Sequence, residues 1–257
     1  METLNVSGVV HHIQHRALSL QPACGQCSAR ALCVMGQLPS GKGAAALHKR
    51  RLAKDQTLYA AGARANDTLY MVRLGSLKKY RSSFPAPPRV SDFFLPGQIV
   101  ALDAIGSATY DSTVVALEDS EVCSISLRDA TTLIPQLHLT VARETQRECN
   151  TGLLLHHTSA DQRLAAFLLQ LAEHYGQLGY SNTRFRLSMA RRDIADYLGL
   201  SAESISRTLL RLEQKCLLQV SEREVTLLHP AALAQLASPL GLMPPPAMLP
   251  AALLHYR

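Results

Sequence analysis

Arg191-Arg-Asp-Ile-Ala-Asp-Tyr-Leu-Gly-Leu-Ser-Ala-Glu-Ser-Ile-Ser-Arg-Thr-Leu-Leu-Arg-Leu-Glu213 decides the fold of the C-terminal half of this 257-residue chain. One helix is predicted from Arg191 to Leu198. Gly199 permits a sharp turn, because glycine takes positive φ freely. Leu200 plugs the corner, and Ser201 is a good N-cap for a second helix. Ile194, Leu198, Ile205, Leu209 and Leu212 supply a shared core. This is helix-turn-helix spacing. The second helix presents Glu203, Ser206 and Arg207 on one face of its first two turns, since offsets of three and four share a face. A recognition helix enters the major groove with that end. Arg207 can donate two bonds to guanine, Glu203 can accept from a cytosine amino group, and Ser206 can serve either partner. The plainer alternative is a solvated Glu–Arg surface pair. The turn, cap and core pattern together favour DNA reading.

Working outward, Leu217-Leu-Gln-Val220 and Val225-Thr-Leu-Leu228 fit a hairpin wing turning at Ser221-Glu-Arg223. Arg184, Arg186, Arg191, Arg192, Arg211 and Arg223 surround the motif as candidate phosphate contacts. Upstream, residues 161–180 are predicted helical, with Leu164, Phe167, Leu168 and Leu171 on one face, followed by a short strand at Phe185-Arg-Leu187. Residues 136–158 read as one long helix after Pro135, a residue that suits a first helical position. Ile134, Leu137, Val141, Glu144, Glu148, Thr151 and Leu155 recur at alternating spacings of three and four, a heptad seam. That seam serves either an ordinary amphipathic helix or a dimer interface. Two carboxylates facing their copies across a symmetry axis repel, so a dimer built on it is adjustable.

From Arg51 to Leu127 the texture is β. Thr57-Leu-Tyr59, Thr68-Leu-Tyr-Met-Val72, Ser76-Leu-Lys-Lys-Tyr80, Val90-Ser-Asp-Phe-Phe94, Thr113-Val-Val-Ala116 and Val122-Cys-Ser-Ile125 are short runs separated by turn residues such as Gly62, Gly75, Gly97 and Gly106. Many short strands at such spacing imply a small sandwich or jelly roll.

Cys24, Cys27 and Cys33 form Cys-x2-Cys-x5-Cys, and Cys123 follows far downstream. Three soft ligands that close together can grip one metal centre, and a distant fourth completes it. Sulfur-rich tetrahedral sites select zinc or an iron–sulfur cluster. Structural zinc usually takes two local pairs, which a triplet plus a remote single cysteine matches less well. A thiol oxidoreductase using Cys24-Gly-Gln-Cys27 wants the pair after a strand in a βαβ unit, and none is visible. No Ser/His/Asp set, carboxylate pair or phosphate loop suggests an enzyme. Cys149 and Cys216 read as small buried hydrophobes.

The formal net charge of +6 suits a polyanionic partner. Trp is absent and aromatics are only 5%, which disfavours base stacking on aromatic platforms. No apolar run is long enough for a membrane span, and the first residues lack the apolar core of a signal peptide. A cytoplasmic protein with reduced cysteines is expected.

Taken together, Cys-x2-Cys-x5-Cys, Leu102-Asp-Ala-Ile-Gly-Ser107, Cys123, Arg163-Leu-Ala-Ala-Phe167, Asp193-Ile-Ala-Asp-Tyr-Leu-Gly-Leu200 and Glu203-Ser-Ile-Ser-Arg207 resemble the Crp/Fnr superfamily of bacterial transcription regulators, and its oxygen-sensing Fnr branch (fumarate–nitrate reduction) in particular. The resemblance covers about residues 20–235. It implies an α+β fold: an N-terminal β-roll (double-stranded β-helix or jelly roll) sensor domain, a long dimerisation helix and a C-terminal winged helix-turn-helix. The expected partition is residues 1–50 for the arm with the cysteine motif, 51–134 for the β-roll, 135–160 for the dimerisation helix, 161–237 for the DNA-binding domain and 238–257 for a tail.

The resemblance further implies a [4Fe-4S] cluster on Cys24, Cys27, Cys33 and Cys123, and DNA contacts from Glu203, Ser206 and Arg207 to a two-fold operator of TTGAT half-sites. Homodimerisation would depend on the cluster, RNA polymerase would be a partner, and oxygen would remove the cluster through a [2Fe-2S] form. Some positions depart from the family pattern. Residues 97–113 lack the Glu and Arg-Ser pair of the cyclic-nucleotide branch. The tip Ser82–Arg89 lacks the glycine expected of a polymerase-touching loop. Ala190 stands where many relatives place a capping Thr.

Overall fold

The computed structural model describes residues 24–37, 47–81, 87–127, 137–142, 145, 149, 152, 155 and 159–237. Eight strands build the N-terminal body: β1 (His48–Leu52), β2 (Thr57–Tyr59), β3 (Thr68–Leu74), β4 (Leu77–Arg81), β5 (Arg89–Phe94), β6 (Ile99–Val100), β7 (Ser112–Ala116) and β8 (Ser120–Ser126). They form two antiparallel sheets, ordered β1-β8-β3-β6 and β2-β7-β4-β5. Six of the eight match the predicted runs. The other two, β1 and β6, escape the pattern. β1 reads His-Lys-Arg-Arg-Leu, with only Leu52 buried, so it carries no apolar alternation. β6 is two residues long.

The central strands β8 and β3 of the β1-β8-β3-β6 sheet are largely buried on both faces. Side chains alternate across a strand. On β3, Tyr70 and Val72 therefore belong to the interior of the roll, together with Leu52, Leu77, Val114 and Val122. Leu69 and Met71 point the other way, into a separate apolar cluster with Val34, Met35, Leu47, Ile99, Cys123, Ile125 and Leu137. This outer layer joins the cysteine segment, the roll and the start of the helical stretch at residues 137–142.

Four helices follow in the described C-terminal part: α1 (Ala160–Gln177), α2 (Arg191–Tyr197), α3 (Ala202–Gln214) and α4 (Pro230–Ala237). A three-stranded sheet ordered β10-β11-β9 joins them, from β9 (Arg184–Arg186), β10 (Leu218–Ser221) and β11 (Glu224–Leu227). Ser159 opens α1 with a capping box closed by Gln162. Pro230 begins α4, which sequence periodicity did not single out; proline at a first helical position leaves no useful N–H unbonded. Leu233 and Ala237 of α4 are buried in the same core as Leu164, Leu168, Ile194, Leu198, Ile205 and Leu212.

That core runs on into the roll through Val90, Phe93, Leu95 and Leu117. Phe93 meets Phe167 and Tyr197, with ring centroids 6.0 and 5.2 Å away. Polar bonds cross the same boundary. Lys78 Nζ donates to Asp193 at 2.8 Å, the Val90 N–H to Asp196 at 3.2 Å, and Ser76 Oγ to Ser188 Oγ at 2.7 Å. No described helix is long and apolar enough to cross a membrane.

Two cysteines differ from expectation. Cys149 and Cys216 are exposed, not buried. Cys216 sits just past the end of α3 at φ 56, a left-handed stop that turns its side chain outward.

Candidate metal centre and nucleic-acid interface

Cys24 opens one 3-10 turn, Cys24–Gln26, and Cys33 immediately precedes another, Val34–Gln37. Between them the Cys33 N–H bonds the Ala29 carbonyl at 2.9 Å and the Arg30 N–H bonds the Cys27 carbonyl at 3.0 Å, which coils the segment tightly. Cys123 comes from β8, paired with Lys49 of β1 on one side and Met71 of β3 on the other. The alternation that sends Val122 into the roll sends Cys123 out towards the coil.

All four cysteines line one small hollow, whose other walls are Arg30, Met35, Gly36, Leu47, Met71 and Arg73. Gly97 brings the coil this close. A Cβ added there would sit 2.7 Å from Leu32 Cβ, at a φ of +92 that other residues rarely adopt.

Burial pushes the Cys123 thiol up to about 12, with Cys33, Cys27 and Cys24 adding to the effect and Arg73 opposing it. Burial likewise raises Cys33 and Cys24. Without a metal these groups are protonated thiols; a metal would displace the protons on binding. Among the described residues no three His, Cys, Asp or Glu side chains close on a single ion position. A soft, all-sulfur donor set of this kind suits zinc or an iron–sulfur cluster.

The predicted dimer seam falls mostly outside the described residues: Ile134, Glu144, Glu148 and Thr151 are not among them. Leu137 is buried in the outer layer beside Cys123. Val141 is exposed, and Leu155 is half-buried.

In the reading head, Ile194, Leu198, Ile205, Leu209 and Leu212 are all buried. Gly199 takes φ 63 at the turn. Ser201 caps α3 by accepting the Ser204 N–H at 3.0 Å. Ala190 at the start of α2 offers no side-chain cap, so the Lys78–Asp193 bond braces that end from the roll. Glu203, Ser206 and Arg207 are exposed along the start of α3. Arg207 pairs with Glu203 at 2.6 Å, and Ser206 donates to the Ala202 carbonyl at 3.1 Å. The Glu–Arg pair is exposed to solvent, so a base edge can exchange for either partner. Arg186, Arg191 and Arg192 are exposed nearby; Arg223 is exposed and donates to the Ser188 carbonyl at 3.4 Å, and Arg184 and Arg211 are engaged by Glu224 and Asp161.

Inside the roll, Tyr59 stacks on Tyr110 at 3.9 Å between ring centroids. Asp103 lies 3.8 Å from the buried Lys79 ammonium and accepts from Ser112 at 3.3 Å. These side chains occupy the space between the two sheets.

Comparison with known families places a Crp-like helix-turn-helix domain over residues 162–236 and a cyclic nucleotide-binding domain over residues 49–136. The transcriptional regulatory protein btr of Bordetella pertussis is 36% identical over 238 residues, covering 86% of this chain and 97% of the relative. The fumarate and nitrate reduction regulatory protein of Escherichia coli is 38% identical over 196 residues, covering 74% of this chain and 78% of that protein. Among solved structures, FixK2 from Bradyrhizobium japonicum matches with a TM-score of 0.66 at 24% identity, covering 74% of this chain and 96% of its own. A CRP-family regulator from Thermus thermophilus matches with a TM-score of 0.61 at 24% identity, covering 73% of this chain and 96% of its own. A β-roll followed by a winged reading head, with more than a third of the residues shared over nearly the whole length of a transcription regulator, puts this chain in the Crp/Fnr family: it is a DNA-binding regulator homologous to Fnr, not an enzyme.

Proposed function

We propose that the chain is an oxygen-responsive transcription regulator in which Cys24, Cys27, Cys33 and Cys123 hold a [4Fe-4S] cluster. The observation that carries this reading is the meeting of all four cysteines at one hollow between the coil and the roll. The cluster, when bound, supplies an oxidant-labile link between those two parts. Cys123 anchors the link to the central strands of the sheet, and the three local cysteines anchor it to the coil. Leu137 shares the outer layer with Cys123, Cys33 and Cys24, so the packing of the coil and the start of the following helix are coupled. Freeing the coil loosens the layer on which that helix rests.

A dimer seam weakened by Glu144 and Glu148 then needs only a modest change to open, on the order of the 1–3 kcal/mol typical of coupled sites. Two reading heads spaced one helical turn apart bind a two-fold operator; a single head binds weakly. Glu203, Ser206 and Arg207 would read base edges, and the surrounding arginines would meet phosphates.

Iron and acid-labile sulfide assays on anaerobically purified protein, then a gel shift before and after air, test this reading. The expected result is about four irons and four sulfides per chain, with DNA affinity lost on exposure to air. Zinc in place of iron, or a DNA affinity indifferent to air, would sink it.

A further inference from the structure

The hollow bordered by the cysteines has an asymmetric charge: its walls hold Arg30 and Arg73 and no carboxylate. The two cations differ in how they are held. Arg30 is exposed, and its Nε reaches the Gly36 carbonyl at 3.4 Å. Arg73 is half-buried, and its guanidinium meets Glu121 at 2.5 Å. Glu121 itself is 9% exposed and also lies 3.6 Å from Arg51. It precedes Cys123 by two positions on β8 and so shares that face of the strand. Arg73 follows Met71 by two positions on β3, and Met71 pairs directly with Cys123. The sheet therefore sets a guanidinium, clamped by a buried carboxylate, at the edge of the cysteine hollow.

We propose that Arg73, fixed by Glu121, is a positioning residue that stabilises the negative charge of the cysteine-bound group and slows its loss to oxygen. The inference rests on the cluster reading above. Four thiolates outweigh the positive charge of an iron–sulfur core, so the centre is anionic. Were a cluster bound, loss of one electron from it to dioxygen would make it less negative and would yield superoxide. A fixed cation beside the centre opposes that step, and Arg73 keeps its charge throughout because a guanidinium does not deprotonate in proteins.

The test compares wild type, Arg73→Gln, Arg73→Lys and Glu121→Gln, all loaded anaerobically. Iron and sulfide content and the decay of visible absorbance in air-saturated buffer are the readouts. Arg73→Gln is expected to decay roughly three- to tenfold faster, the scale of one charge near a partly exposed site. Arg73→Lys should recover most of the wild-type lifetime. Glu121→Gln keeps the cation and, through its amide oxygen, an acceptor that still holds the guanidinium, so it should decay no faster than wild type. Decay of Arg73→Gln at the wild-type rate overturns the proposal. So does equal acceleration in Glu121→Gln, which would make the pair a mere strut. If Arg73→Gln takes up no iron, Arg73→Lys decides: loading with a near wild-type lifetime supports the role of the charge, and failure to load overturns it. Wild-type protein without iron and sulfide overturns the cluster reading itself, an outcome separate from a loaded wild type matched by a loaded Arg73→Gln.

Discussion

The reading head and the cysteine hollow are built by opposite means. The head is local: its turn, cap, core and exposed face all come from one run, Arg191 to Glu213, and each position follows from helical spacing. The hollow is assembled from distant pieces. Its coil lies near the N-terminus, while Cys123 lies on a central strand flanked by β1 and β3. A local device is robust and folds on its own periodicity. A non-local one breaks when any of its parts moves, which is a useful property in a switch.

The largest expected effect separates the two regions completely. Replacing Cys123 by Ser should remove the cluster and anaerobic operator binding, leaving the helix-turn-helix folded. Iron content, gel shift and far-UV circular dichroism check this together. A Cys123→Ser protein that still carries a full oxygen-sensitive cluster would show that the fourth ligand lies elsewhere.

The converse break is Ile205→Ala. Ile205 is fully buried in the shared core, and removing such a side chain costs about 2–5 kcal/mol. Chemical denaturation should show that loss while iron uptake persists. Arg207→Ala is smaller and touches reading alone: about 1–3 kcal/mol of discrimination at one base pair, with no change in iron content, measured by competition between operator variants. Ser201→Ala removes the α3 cap and should cost about 1 kcal/mol of stability, again by denaturation.

The smallest effect concerns pH. Arg211 holds the Asp161 carboxyl below its ordinary value, with Lys215 adding to the pull. A depressed folded-state value gives stability that is fully present above the unfolded carboxylate value of about 3.9 and is lost as pH falls through the folded one. Asp161→Asn should therefore flatten the acid limb of the stability curve below about pH 4, with little change near neutrality.

The two regions were also unequally legible. Ile194, Gly199, Leu200 and Ser201 announce the reading head because each residue's neighbours in space are its neighbours in sequence. The cysteine motif announced a donor set, but nothing in its spacing said that Cys123 faces the coil. That depends on the pairing of β8 with β3 and β1. β1 carries no apolar alternation because its residues are mostly exposed and basic, as befits an edge strand with one open side. α4 is not legible locally because Pro230 is both a helix opener and a helix breaker, and only packing of Leu233 and Ala237 on the shared core chooses between them. Leu137 carried a heptad position in sequence, yet lies against the roll beside Cys123. Periodicity finds an apolar face but does not say what covers it. The burial expected of a free cysteine fails at Cys149 and Cys216, which are both exposed, Cys216 at a left-handed backbone position past the end of α3.

Sequence alone determined the periodic and contiguous features: the helix-turn-helix, most strands of the roll and the clustering of Cys24, Cys27 and Cys33. Their physical signals are carried by residues within a few positions of one another. Tertiary structure decided which strand face Cys123 occupies, that Gly97 lets the coil approach the sheet, and that Arg73 and Glu121 meet at the edge of the hollow. Those outcomes depend on strand register and close packing between segments far apart in the chain, where no local pattern records the partner.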